Sequence, residues 1–162
     1  MHNWEIDRWY VERCLVFSVS TLLAMPQDRM TTKLAQGRQE ILREVIEGYG
    51  WHELHNRRST PGSQAISDMD EIATWLRFIP QTPVRKIVAL RCTVHPVSGR
   101  PISFDKIGKR LVPTDPIDGK SIQRWYIQGL EAIAKKLKDG NAKRLPVLPE
   151  AHCAEILDER VF

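Results

Sequence analysis

The chain has 162 residues, with 24 Lys and Arg against 20 Asp and Glu and a formal net charge of +4. That length suits one domain able to bury its own core without staples, and three widely spaced cysteines favour reduced thiols over a disulfide framework. No stretch approaches the roughly 18 apolar residues of a membrane span, and the opening MHNWEIDRWYVERC lacks the apolar run of a signal peptide, so a soluble cytoplasmic protein is expected.

Residues 4 to 25 place Trp9, Leu15, Phe17 and Leu22 among charged neighbours in a helical pattern that stops at Pro26. Thr32 is suited to cap a second helix whose apolar face holds Leu34, Ile41, Leu42, Val45, Ile46 and Tyr49, ending at Gly48 and Gly50. WHELHNRRSTPGSQ reads as a surface loop. A third helix fits residues 64 to 79, with Ile66, Met69, Ile72, Leu76 and Ile79 at spacings of three and four and Ser67 or Asp68 near its start. Pro80 and Pro83 close it. Pro83 also suits the first turn of a fourth helix, PVRKIVALRC, buried through Val84, Ile87, Val88 and Leu90. TVHPVSGRPI then has the composition of a short hairpin or wing.

Ser103 is placed to cap a short helix that turns Phe104, Ile107 and Leu111 inward, with Gly108 admitting a neighbouring helix and Lys106, Lys109 and Arg110 facing out. Asp118 is the expected cap of a long helix in which Ile122, Trp125 or Tyr126, Leu130, Ile133 and Leu137 make an apolar stripe. Beyond Gly140, Pro146 and Pro149 stop the helix and favour an extended spacer. A short acidic terminal helix with Ala154, Ile156, Leu157, Val161 and Phe162 follows, expected to dock on the core. The expected architecture is all-α. Residues 1–82 form an N-terminal helical bundle, 83–140 a helix-turn-helix, and 141–162 a Pro-containing linker with a short terminal helix.

Charge is unevenly distributed. Residues 85–144 hold 14 Lys and Arg against 5 acids, a surplus of nine, which leaves a deficit of five for the remainder of a chain whose total is +4. A polyanion is drawn to that half through phosphate contacts that release counterions. In a helix-turn-helix the second helix meets base edges in the major groove. Lys120, Ser121, Gln123, Arg124 and Gln128 are therefore the base-reading candidates, since Arg bonds guanine bidentately and Gln reads adenine. Arg100, Lys106, Lys109, Arg110, Lys135 and Lys136 are the candidates for phosphate contact.

RKIVALRC, SFDKIGKRL and KSIQRWYIQGLEAIAKKL resemble the fourth region of sigma factors and related helix-turn-helix proteins. The run DRWYVERC, GYGWHE, MDEIATWLRFI and that motif, spanning residues 7 to 138, is similar to an uncharacterised family of short alphaproteobacterial and phage proteins. The resemblance implies DNA binding and a phage or prophage origin. The chain departs from the sigma pattern in two places: VPTDPI, residues 112–117, lengthens the turn by about four residues, and HPVSGRP looks inserted, bringing Arg100 to where a wing would touch the DNA backbone.

Other chemistry finds no support in the spacing. His52-Glu53-Leu54-His55 lacks one residue of the zinc-protease spacing. Cys92 with His95, and His152 with Cys153, lack a zinc-finger context. GYGWHE has no P-loop Lys and Ser, and no nucleophile-elbow pattern occurs. Asp68, Asp70 and Glu71 enrich a helix start rather than form a catalytic dyad. The expectation is a DNA-binding protein of the transcription-regulator type, not an enzyme, with no cofactor and no metal. Its partners are double-stranded DNA, a second copy of the chain in a homo-oligomer, and RNA polymerase. Two alternatives stand beside it: a phage small terminase subunit that marks DNA for packaging from a ring, and a sigma-like adaptor whose basic motif docks on protein.

Overall fold

The computed structural model describes residues 6–25, 60–94 and 100–148. The expected helix over 32–49 and the terminal helix after Pro149 lie outside them, as do His52, Glu53, His55, His95, His152 and Cys153. The fold is all-α. Among the described residues five α-helices follow in order: α1 (Arg8–Ala24), α2 (Ser63–Thr74), α3 (Thr82–Arg91), α4 (Phe104–Leu111) and α5 (Gly119–Lys138). No helix among the described residues is long and apolar enough to cross a membrane.

Asp7 caps α1, its carboxylate accepting from the Tyr10 amide at 2.7 Å. The helix packs against α2 on one side and α5 on another, so apolar burial spreads around it instead of forming one stripe: Tyr10, Val11, Cys14, Leu15, Val16, Leu22 and Leu23 are all buried. Two large apolar residues of the helical pattern are less buried than the rest. Phe17 is only half-buried. Trp9 faces outward, 43% exposed, with the Arg8 guanidinium 5.2 Å from its ring centre.

α2 starts at Ser63, one residue before the expected position 64, with Gly62 in the cap position and no side chain bonded there. Asp68 lies inside the helix, buried, where it accepts from Gln64 Nε2 at 3.0 Å and pairs with Arg144. The last turn tightens to a 3-10 geometry over Trp75–Phe78 before Pro80. That tightening brings Trp75, rather than Leu76, fully into the core. α3 begins with Pro83 in its first turn and buries Val84, Ile87, Val88 and Leu90, in agreement with the sequence pattern.

Between α3 and α4 the chain makes a single antiparallel bridge, Val94 to Pro101, and no strand occurs among the described residues. Ser103 caps α4 through its hydroxyl, which accepts from the Lys106 amide at 3.4 Å. Ile107 is fully buried, while Phe104 and Leu111 pack on the core from its edge. α5 buries Ile122, Tyr126, Leu130, Ile133 and Leu137. Of the two aromatic candidates, Tyr126 takes the inner position and Trp125 the flank. One core cluster joins residues of α1, the α2 segment, α3, α4 and α5, so packing is continuous across position 82, the expected boundary of the N-terminal bundle.

α5 ends in a Schellman arrangement. Gly140 has φ 78°, its amide donates to Leu137 O at 3.1 Å, and the Asn141 amide donates to Lys136 O at 3.2 Å. The following extended segment is fastened back on the bundle: the Lys143 amide donates to Glu71 Oε1 at 3.1 Å, Arg144 pairs with Asp68, and Tyr10 Oη donates to the Pro146 carbonyl at 2.8 Å. Residues 141–148 are thus a strap that ties the end of α5 to α2 and α1.

Candidate nucleic-acid interface

Two inward anchors fix the rotation of α5 about its axis. Its apolar stripe faces α1, α3 and α4, and Tyr126 Oη donates to the buried carboxylate of Glu12 on α1 at 2.6 Å. The opposite side must then face solvent, because side chains advance about 100° per residue. Lys120, Gln123, Arg124, Gln128, Lys135 and Lys136 are exposed, and Ser121 is half-buried. Lys120, Arg124, Gln128, Lys135 and Lys138 fall within about 80° of one another around the axis, with Glu131 among them as the one acid of that exposed flank.

α4 presents Lys106 and Lys109 to solvent, whereas Arg110 is half-buried. Arg100 is exposed beside the Val94 to Pro101 bridge. Three other cations of the basic half serve the fold. Arg85 donates through Nε and Nη2 to Ile79 O at 3.2 and 2.7 Å, capping the chain after the 3-10 turn. Arg91 donates to Ile102 O and stacks 4.2 Å above the Phe104 ring, and Arg144 holds the strap. The positive surplus read from the sequence therefore overstates the free positive surface.

The lengthened turn determines how α4 meets α5. Gly108 was expected to admit a helix. It admits the turn instead, since a Cβ there would overlap the carbonyl oxygen of Ile117. Gly119, the first residue of α5, has the Asp105 carboxylate in the space of its missing side chain. Asp118 occupies the cap position and its backbone carbonyl accepts from Ser121 and Ile122 at 3.0 and 3.1 Å, but its carboxylate caps nothing. Asp105, Asp115 and Asp118 are all exposed. Asp105 and Asp118 thus meet at the starting tip of α5, with Asp115 in the turn that leads into it, and the meeting is not legible in the sequence because it depends on the path of VPTDPI.

Among the described residues no three His, Cys, Asp or Glu side chains are grouped to hold a metal ion. Cys14 and Cys92 are buried thiols, and the Cys92 sulfur lies 3.9 Å from Tyr126 Oη.

Comparison of the chain with protein-family models, with curated proteins and with solved structures finds no match.

Proposed function

We propose that the protein binds double-stranded DNA, with α4, the 112–118 turn and α5 acting as a helix-turn-helix. One observation carries the reading: Lys120, Gln123, Arg124 and Gln128 lie exposed on α5, beside Lys106 and Lys109 of α4, while the opposite side of α5 is sealed in the core. Gln and Arg on a solvent face supply donors and acceptors for adenine and guanine edges, and the lysines supply phosphate contacts that set register. In this reading Lys120, Gln123, Arg124 and Gln128 read bases, with Ser121 supporting from a half-buried position. Lys106, Lys109, Arg110, Lys135, Lys136 and Arg100 contact phosphate.

A single such motif binds weakly, so specific recognition requires a second copy or delivery by a larger partner such as RNA polymerase. That fits a phage-type or sigma-like regulator. Fluorescence anisotropy with duplex DNA tests the reading. Affinity is expected to fall steeply as salt rises, and Arg124→Ala to cost about 1–3 kcal/mol on a preferred site. Binding that is absent, or insensitive to salt, refutes it. Retention of DNA by Lys120→Ala and Arg124→Ala, with loss of a bound protein, would establish the adaptor role instead.

A further inference from the structure

We infer that DNA lies along the exposed flank of α5, reaching Lys135 and Lys138, and does not receive the helix tip first. The inference rests on the DNA-binding reading and specifies the geometry of that same surface. Two features of the charge distribution on α5 lead to it.

The first is the tip. In end-on insertion the starting turn of a recognition helix goes deepest between two phosphate backbones, where a helix dipole and cations are favoured and carboxylates are repelled. Here that tip carries Asp105 packed against Gly119, Asp118 at the cap position with no hydrogen bond from its carboxylate to the helix, and Asp115 in the turn that leads into it, all exposed. Lys106 and Lys120 stand nearby, so the tip is at best electrically balanced.

The second is the flank. Lys120, Arg124, Lys135 and Lys138 share one side of the helix and are exposed, spanning about 27 Å at 1.5 Å per residue. Glu131 is the single acid between them, one turn before Lys135, where the i to i+4 relation favours pairing along the helix itself. Taken as a whole the flank is therefore net cationic, with its cations at both ends, while the tip is not. A major groove about 12 Å wide admits a helix lying lengthwise. In that pose the bases face Arg124 and Gln128, phosphates on either side meet the lysines at both ends, and the tip carboxylates project past the backbone into solvent. The long turn 112–118 is consistent with this pose, because it sets Asp115 and Asp118 at the approach to α5 instead of a tight, neutral corner.

The experiment compares salt dependence and base preference in folded variants of the full chain. Duplex DNA is titrated by anisotropy at several salt concentrations with wild type, Lys135→Ala/Lys138→Ala and Asp105→Asn/Asp118→Asn, folding being checked by circular dichroism. Flank binding predicts that the lysine pair lowers the slope of log K against log salt by about 2, uniformly over sequences. It also predicts that the asparagine pair leaves base preference unchanged and affinity equal or higher. An unchanged slope in the lysine variant, or a relaxed base preference in the asparagine variant, overturns flank binding and puts the tip in the groove. Failure of wild type to bind duplex DNA at any salt instead removes the DNA-binding reading itself, and flank binding with it.

Discussion

A methyl group at position 108 has no room, because the Ile117 carbonyl oxygen occupies the space a Cβ would need. Gly108→Ala must push the turn away from α4, and overpacking of this kind costs about 1–3 kcal/mol. The expected result is a lower urea midpoint at unchanged slope. Gly119→Ala overlaps the exposed Asp105 side chain, which can rotate aside, and meets the Asp105 backbone nitrogen only at 3.4 Å, an ordinary contact, so its midpoint should change less; equal losses would refute this account. Tyr10 offers a second test. Burial, reinforced by the neighbouring Cys14, pushes its hydroxyl above the ordinary value of 10.0, and it donates to the Pro146 carbonyl. The sign follows: below about pH 10 both folded and unfolded chains keep the proton and the full stabilisation is present, and above it the unfolded chain releases its proton first and stability declines. Tyr10→Phe should cost about 1–3 kcal/mol near neutrality by leaving a buried acceptor unmet, and should flatten that alkaline decline in unfolding midpoints. Ser103, Ile107, Ile122, Leu130 and Ile133 were legible from cap chemistry and helical spacing. Gly108, Asp105 and the Glu12 to Tyr126 bond were not, since each joins residues whose meeting is decided by the path of the chain between them.

Helices were legible where one face is buried and obscured where two are. α3, α4 and α5 each bury one stripe, and their core residues follow directly from spacing. α1 is enclosed by α2 and α5, so its apolar residues show no single period and Trp9 could not be told from a core residue. The extent of α2 with its 3-10 turn follows from spacing, Ser63 to Phe78 against the expected 64 to 79, but the pairing of Asp68 with Gln64 and Arg144 does not; no local pattern announces a partner 76 residues away. The end of α5 depends on a single backbone conformation. Gly140 adopts φ 78° with open space around it, so Gly140→Ala adds no clash and its cost is the left-handed backbone alone, about 1–2 kcal/mol. Gly140→Asn should cost less, since Asn tolerates that conformation. Thermal melts of the two variants check this order. The reverse order would mean that the strap, not the Schellman turn, determines where α5 stops.

At the scale of the molecule, the basic half is not self-sufficient. The inner face of α5 packs on α1, Tyr126 spends its hydroxyl on Glu12, and the strap after Gly140 is held by α1 and α2. Removing residues 1–82 would strip α1 from the inner face of α5, leave Tyr126 without Glu12, and leave three helices to bury one another, too little apolar surface for a chain of that size. A fragment of residues 83–140 should therefore lack a cooperative unfolding transition, while the full chain should lose tryptophan fluorescence and helical circular dichroism at the same denaturant concentration, because Trp75 lies in the same core as α5. Two separated transitions in the full chain, or a fragment that melts sharply alone, would show that the two halves are independent units. If the halves unfold together, the exposed cationic flank of α5 is held rigid by the N-terminal helices: Glu12→Gln, which keeps shape while weakening the bond from Tyr126, should lower the shared midpoint and leave the salt slope of the proposed DNA binding unchanged.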